Sequence, residues 1–416
     1  MTTTTELPPR REMWLLLTLA GVQFTHILDF MIMMPLGPQL TALFRISDAQ
    51  FGMLVSAYTL AAGASGLLAA TYIDRLGRKP LLLVLYGQFA LATLACALAP
   101  TYGTLMVARI LAGVFGGVLS ALSQTIVADV IPFERRGRAS AIVMTSFSVS
   151  TVAGVPLGLV LASHWSWHAP FVAIAVLCAA LWVLAARVLP ALDSHMAAGA
   201  GRSLLGGLQD VLRDANHRRA FVFSALLMFT GFTVIPYITI YMQTNAGVRA
   251  DQVPYIYLCG GLVTLFTARW FGRLTDQRGK VVVFRWLALA VAVPLLGITL
   301  VAGMPLPVIL LVSTLMFTCM SGRMIPGMAL VVSAAHPSMR GAFMTLNAAV
   351  QSASMGVASI VGGLLISRTP QGLVQNYWMA AVVGIGASVL AMWMAGRLHL
   401  HGAPGNGPAA HEGPSA

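Results

Sequence analysis

Ala70-Thr-Tyr-Ile-Asp74-Arg75-Leu-Gly77-Arg78-Lys79 and Gly272-Arg-Leu-Thr-Asp276-Gln-Arg278-Gly279-Lys280 are two versions of one short charged stretch, with their aspartates 202 residues apart in a chain of 416. Each is wedged between apolar runs of the length that a hydrocarbon slab of ~30 Å demands, about 20 residues. Two further landmarks keep nearly the same offset: Arg136-Gly137 recurs as Arg340-Gly341, 204 residues on, and Pro35 recurs as Pro236, 201 residues on. Three landmarks at one offset read as a duplicated unit, and duplicated membrane bundles of this kind enclose a site near the midplane between them.

Composition agrees. Hydrophobic residues make up 58% of the chain, charged residues 9%, and mean hydropathy is +0.82. A soluble domain carries roughly 25% charged residues, so this chain has too few solvated side chains to cover itself. Apolar runs fall at 13–36, 49–73, 80–100, 103–128, 139–163, 167–190, 219–244, 252–275, 280–303, 306–334, 341–368 and 375–398. Only helices and closed barrels satisfy the backbone in lipid, and runs without period-two alternation are helices. The expected fold is an all-α polytopic membrane protein of twelve transmembrane helices in two pseudo-symmetric six-helix bundles. Residues 1–190 form the first bundle, 191–218 a linker, 219–398 the second bundle and 399–416 a Gly/Pro/Ala-rich tail expected to be disordered.

The net charge of +12 does not signal nucleic-acid binding, which gathers Lys and Arg on one face of a domain. Here the cations sit in alternate connections: Arg10/Arg11, Arg75/Arg78/Lys79, Arg135/Arg136/Arg138, Arg202/Arg213/Arg218/Arg219, Arg273/Arg278/Lys280 and Arg340. The opposite connections carry only Arg45, Arg249 and Arg368. By the positive-inside rule both termini are cytoplasmic, in the inner membrane of a bacterium. Cys96, Cys178, Cys259 and Cys319 each fall in a different apolar run and read as small buried hydrophobes rather than disulfides or metal ligands. Met1–Glu12, with Pro8-Pro9-Arg10-Arg11, is unlike a cleaved signal. In the linker, Ser203-Leu204-Leu205-Gly-Gly-Leu208-Gln-Asp-Val211-Leu212 has apolar residues at helical spacing, which predicts a short helix on the cytoplasmic membrane surface.

At these residues the sequence resembles the major facilitator superfamily, in its twelve-helix drug:H+ antiporter and sugar-efflux branch. Asp74-Arg75-Leu76-Gly77-Arg78-Lys79 is similar to the cytoplasmic motif between helices two and three, with Ala70 in place of its usual leading glycine. Arg109-Ile-Leu-Ala-Gly113-Val-Phe-Gly-Gly117 resembles the membrane-embedded arginine motif of helix four. Gly154-Val155-Pro156-Leu157-Gly158 resembles the antiporter motif of helix five. Asp129-Val-Ile-Pro132 with Arg136-Gly137-Arg138 is like the usual turn between helices four and five, and Trp165-Ser-Trp167-His168 resembles the branch's tryptophan turn with His168 in place of arginine. The resemblance implies conformational gating by Asp74, Arg75, Gly77, Arg78, Asp129, Arg136, Gly154, Pro156, Gly158 and Asp276, and proton coupling through an acid of helix one and the arginine of helix four. Without the family, a carboxylate such as Asp74 at a helix end can latch a neighbouring helix, and about 0–1 kcal/mol for an exposed pair suits a gate that opens. Gly113 and Gly117 permit close helix approach, and Gly154 with Pro156 permits a bend.

Apart from Asp129 at a helix end, Asp29 is the only acid placed inside a membrane segment, and such a group is a functional site by default. Gln23, His26 and Asp29 are spaced three apart and share one helical face. Burial and a nearby cation pull a carboxylate's proton affinity in opposite directions, and Arg109 lies at about the height of Asp29. Asp29, Arg109 and His26 are therefore the candidates for proton coupling, with a permanent structural ion pair and a merely hydrogen-bonded histidine as the alternatives. Candidates to line a substrate cavity are Gln23, Met33, Thr230, Phe232, Arg323, Asn347 and Gln351. Arg323 either holds an anionic substrate or braces the helix at Pro326.

No P-loop lysine motif, metal-ligand cluster or nucleophile elbow is present in the sequence, so neither an enzyme nor an ATP-driven pump is expected, and one buried acid gives no support to a sodium cage. The expected energy source is the proton gradient, with no cofactor. The expected partners are protons, a small-molecule substrate and the lipid bilayer, and the expected state is a monomer. The leading expectation is export of a small organic molecule or drug by proton antiport with alternating access. Proton symport or uniport of sugars or organic acids is the alternative, and a non-transporting membrane sensor is a third.

Overall fold

The protein is described by a computed structural model over residues 8–69, 71–73, 76–132, 135–190, 204–336 and 339–401. Asp74, Arg75, the first part of the expected linker (191–203) and the tail from 402 onwards lie outside these residues. The helices of the first half are α1 (Pro9–Ile32), α2 (Asp48–Ala69), α3 (Arg78–Ala97), α4 (Tyr102–Val130), α5 (pieces Arg136–Val149, Ser150–Gly154 and Val155–His164) and α6 (His168–Val188). Those of the second half are α7 (Ala215–Phe232, continued by Ile235–Tyr237 and Ile238–Thr244), α8 (Val253–Arg278), α9 (Lys280–Ala290 and Ala292–Gly297), α10 (Leu306–Ala334), α11 (Arg340–Leu365) and α12 (Tyr377–Ala395). Among the described residues eleven of these segments are long and apolar enough to cross a membrane. The twelfth, α8, has the length, but Pro254, Tyr255, Tyr257, Gly260, Gly261 and Arg269 dilute its apolar character.

Local chemistry sets the ends and breaks. Pro9 opens α1, where its missing N–H costs nothing because the first helical amides have no partner anyway. The expected run 13–36 stops at Ile32, where Pro35 has no N–H to continue the helix, and restarts as a short helix, Gly37–Phe44, with Pro38 in its first turn, where a missing N–H costs nothing. Thr101 caps α4, accepting from the Thr104 amide at 3.2 Å. In α5 the stretch Ser150–Gly154 is π-helical and runs into Pro156, which has no N–H to give the carbonyl four residues back. α7 narrows to a 3-10 turn at Pro236.

Within the first half, α1 packs on α5 and α6, α2 on α4, and α3 on α4 and α6; within the second, α7 packs on α11 and α12, α8 on α10, and α9 on α10 and α12. The halves meet where α2 lies along α11 and where α5 touches α8. α2 and α11 run antiparallel: Asp48 is beside Gly363, Gly52 beside Ser359, and Gly63 beside Ala349 and Ser352. The start of α1, the end of α2 and the start of α11 therefore share one face of the bundle. His401, just past α12, donates its amide to Ser333 near the end of α10 on that same face. We call it the termini face and its opposite the far face.

The short helix expected in the linker is present as Leu204–Arg213. Its Val211 is fully buried in a cluster with Ala220 and Phe221 of α7 and Phe343 of α11. Leu208 packs against the same cluster, while Leu212 stays exposed.

Candidate functional site

The Gln23–His26–Asp29 stripe of α1 turns into the first half, toward α2 and α4. Gln23 donates to the Ser120 hydroxyl of α4 at 3.1 Å. His26 Nδ1 lies 3.3 Å from the Tyr58 hydroxyl of α2. Asp29 Oδ2 accepts from Arg109 Nη1 of α4 at 2.7 Å, and the same nitrogen reaches the Asp29 carbonyl at 3.2 Å. Both side chains of this ion pair are completely buried. The pair is not saturated: Asp29 Oδ1 and Arg109 Nε and Nη2 have no partner. The guanidinium carbon sits 4.5 Å above the Tyr58 ring, a distance at which the ring's negative face attracts a cation.

Tyr58 was not singled out by the sequence, since a single tyrosine among small residues in an apolar run carries no periodic signal. Two neighbouring glycines do mark its place. A Cβ at Gly113 would stand 2.3 Å from the Tyr58 carbonyl oxygen, and one at Gly116 2.5 Å from its hydroxyl. Gly117 meets the Ala62 carbonyl equally closely. These glycines bring α2 against α4 and so place the Tyr58 ring under Arg109, which makes their packing role direct.

From Tyr58 a line of rings leaves the first half. Tyr58 stacks on Phe30 at 5.4 Å between centroids, and Phe30 on Phe232 of α7 at 6.0 Å. Phe30 follows Asp29 in sequence, so the residue after the buried acid is the one that touches the other half.

In the second half the expected cavity residues separate. Thr230 returns its hydroxyl to the Leu226 carbonyl, 2.9 Å away in its own helix. Met33, the C-cap of α1 in the first half, is packed into the core. Gln351 of α11 donates to Ser224 of α7 at 2.9 Å, tying those helices together, while Asn347, one turn away, keeps a buried Oδ1 without a partner. Arg323 of α10 is fully buried and gives one hydrogen bond, from Nη2 to the Leu227 carbonyl at 2.8 Å; its Nε and Nη1 have none.

Of the expected gating residues, Gly77 precedes α3 as its N-cap, and Arg78 joins α3 to the end of α4 by bonding Asp129 Oδ2 at 2.9 Å and the Ile73 carbonyl. Gly154 and Gly158 seat Leu28 and Ile32 of α1 against α5, beside the π turn that Pro156 follows. Asp276 is exposed near the end of α8, and Arg136 opens α5. At the far face a link that the sequence reading did not pair closes the halves. Arg368, in the two-stranded hairpin Ser367–Arg368/Val374–Gln375, grips Asp48 of α2 with two bonds of 2.8 and 2.7 Å. Its hydrogen bonds to Asp48 hold the Arg368 guanidinium above its ordinary pKa. Residues 320 apart can be matched only by folding.

These features define a helical membrane protein in two halves with a buried charge pair in the first and an unpaired buried arginine in the second. The major facilitator superfamily pattern matches residues 19–359, and the chain belongs to that family. An uncharacterized MFS-type transporter of Bacillus subtilis is 25% identical over 82% of this chain and 85% of its own length. A chloramphenicol resistance protein of Streptomyces lividans is 27% identical over 80% of this chain and 83% of its own, in keeping with the drug-efflux branch. Among solved structures, the nucleoside transporter NupG superposes with a TM-score of 0.75 at 14% identity, over 93% of this chain and 99% of that one, a likeness of fold alone. The protein is thus a multi-pass membrane transporter.

Proposed function

We propose that this transporter exports a small organic molecule by exchange with protons, and that Asp29 carries the exchanged proton. The observation behind this is the buried Asp29–Arg109 pair with one carboxylate oxygen left free. Protonation at that oxygen removes the charge that holds Arg109. The guanidinium is left over the Tyr58 ring, in contact with the phenol that adjoins His26, and the ring line to Phe232 supplies contact with the other half. Loading and unloading the acid would thus change the packing of α1 on α4 and α2, next to where the halves touch. In this conformer both members are sealed from solvent, so exchange requires the alternate one. The chloramphenicol resistance relative favours export and a drug-like substrate. The arginine distribution favours placing the termini face in the cytoplasm of a bacterial inner membrane.

The test uses proteoliposomes with an acidified lumen and a lumenal pH dye, with the termini face outward. Adding a transported compound from an antibiotic and metabolite panel, chloramphenicol first, should release lumenal protons, and Asp29→Asn should abolish that release. Asp29→Asn that transports at full rate with unchanged pH dependence would sink the reading. Net uptake driven by an inward proton gradient would replace it with symport.

A further inference from the structure

Between residues 219 and 398 the chain has only two acids, Asp251 and Asp276. Asp251 lies in the turn before α8 and is bonded to Arg249 at 2.9 Å, and Asp276 is exposed near the other end of that helix. Neither is near the middle of α10, where Arg323 is the eighteenth of 29 residues. The buried acid of the other half, Asp29, is already held by Arg109. A guanidinium stays protonated in proteins, and a buried ion without a counter-charge costs several kcal/mol even after relaxation. One main-chain carbonyl takes one of its five N–H groups, while Nε and Nη1 point at nothing that accepts. A brace for the helix at Pro326 needs no charge, and an apolar side chain of the same length would fill the volume at less cost.

Arg323 is also close to where the halves meet. One turn toward the far face, Met320 packs on Gly231, whose neighbour Phe232 stacks on Phe30. The Leu227 carbonyl that holds Arg323 is five residues before Phe232, about 7.5 Å along the helix. The unpaired cation of α10 and the paired acid of α1 thus flank one aromatic contact from opposite halves.

We propose that Arg323 is the docking point for an anionic group, a carboxylate or a phosphate, on the transported molecule. This rests on the chain being a transporter and not on proton coupling. The planar fork of N–H groups suits either anion, and bound anion supplies the counter-charge that the second half lacks. A neutral analogue leaves the guanidinium as unpaired as before and gains nothing there.

The experiment is thermal unfolding of the purified full chain in detergent with benzoate, phenyl phosphate or neutral benzamide in excess. Whichever of the two anions fits should raise the Tm of the wild type by roughly 1–3 °C, and which one does so assigns the group. Benzamide should not, and Arg323→Gln should lose the rise. Without ligand, Arg323→Met should unfold at the same temperature as wild type or higher, because it removes an uncompensated charge. The proposal is overturned if neither anion outperforms benzamide on the wild type, if Arg323→Gln keeps the full response, or if Arg323→Met unfolds earlier or fails to fold, which would mark a structural brace. No proton gradient is involved, so failure here leaves the antiport reading standing, and loss of that reading leaves this one testable.

Discussion

Arg109 in the first half and Arg323 in the second are both buried arginines in long helices that begin at the far face, yet their surroundings are opposite. Arg109 has a carboxylate at 2.7 Å and an aromatic face at 4.5 Å. Arg323 has one main-chain carbonyl at 2.8 Å and no described carboxylate in reach. A pair that carries its own counter-charge can be stable in a sealed conformer and respond to a proton. A cation with no described counter-charge is a standing cost that an anion from outside could relieve. On the two proposals above, the contrast assigns the proton to the first half and the cargo to the second.

The contrast is sharpest in stability. Asp29→Asn should destabilise the protein by about 3–5 kcal/mol, since it leaves Arg109 buried without a counter-charge. Arg323→Met should cost nothing or stabilise by about 1–4 kcal/mol. Thermal or denaturant unfolding of the two variants side by side checks this, and equal losses would erase the distinction. Replacing both members of the first pair, Asp29→Leu with Arg109→Met, should recover most of the stability lost in Asp29→Asn while leaving proton release absent. A double variant no more stable than the single one would show that the pair's worth lies in packing.

The support beneath Arg109 comes next. Gly113→Ala drives a Cβ into the Tyr58 carbonyl and should cost about 1–3 kcal/mol by overpacking. It should also slow transport more than Gly272→Ala, where a Cβ meets open space. Comparable effects of the two would show that Gly113 does not set the position of Tyr58. At the far face, Arg368→Gln releases Asp48, and its pair is partly solvent-screened. Because Asp48 itself is nearly buried, a loss of about 1–3 kcal/mol is expected, together with increased labelling of a cysteine placed at Ser47.

The smallest effect concerns Asp214, the N-cap of α7. Desolvation raises its pKa, but the His217 amide, the His217 charge and the Asn216 amide outweigh that and hold the carboxyl below 3.8. A depressed folded pKa contributes stability that is present above 3.8 and is lost as pH falls through the folded value. Asp214→Ala should therefore cost about 1 kcal/mol at neutral pH, with the gap from wild type narrowing only below about 3.8. A gap constant down to acid pH would show that the cap acts without its charge.

Much of this was legible in the residues because lipid leaves the backbone few options. Apolar runs had to become helices, and their edges fell within a few residues of expectation where a proline or cap marked them, as at Thr101, and further off where Pro35 cut a run short. Asp29 and Arg109 were legible because a charge in an apolar run is rare enough to stand out. Tyr58 was not, because an aromatic in such a run is ordinary until one knows what lies above its ring. Nor was Asp48–Arg368, whose members looked like two unrelated loop charges.

By itself, the sequence determined that the chain lives in a bilayer, that it is built twice over, and that one acid and two arginines are buried there. All three follow from composition and spacing, which act through local backbone chemistry and transfer energies. Only the tertiary structure decided which arginine meets the acid, which is left alone, and which rings join the halves. Those outcomes depend on how helices far apart in the chain rotate and settle against each other. That rotation is fixed by small residues and close contacts, such as Gly113 on Tyr58, whose partners no linear pattern names.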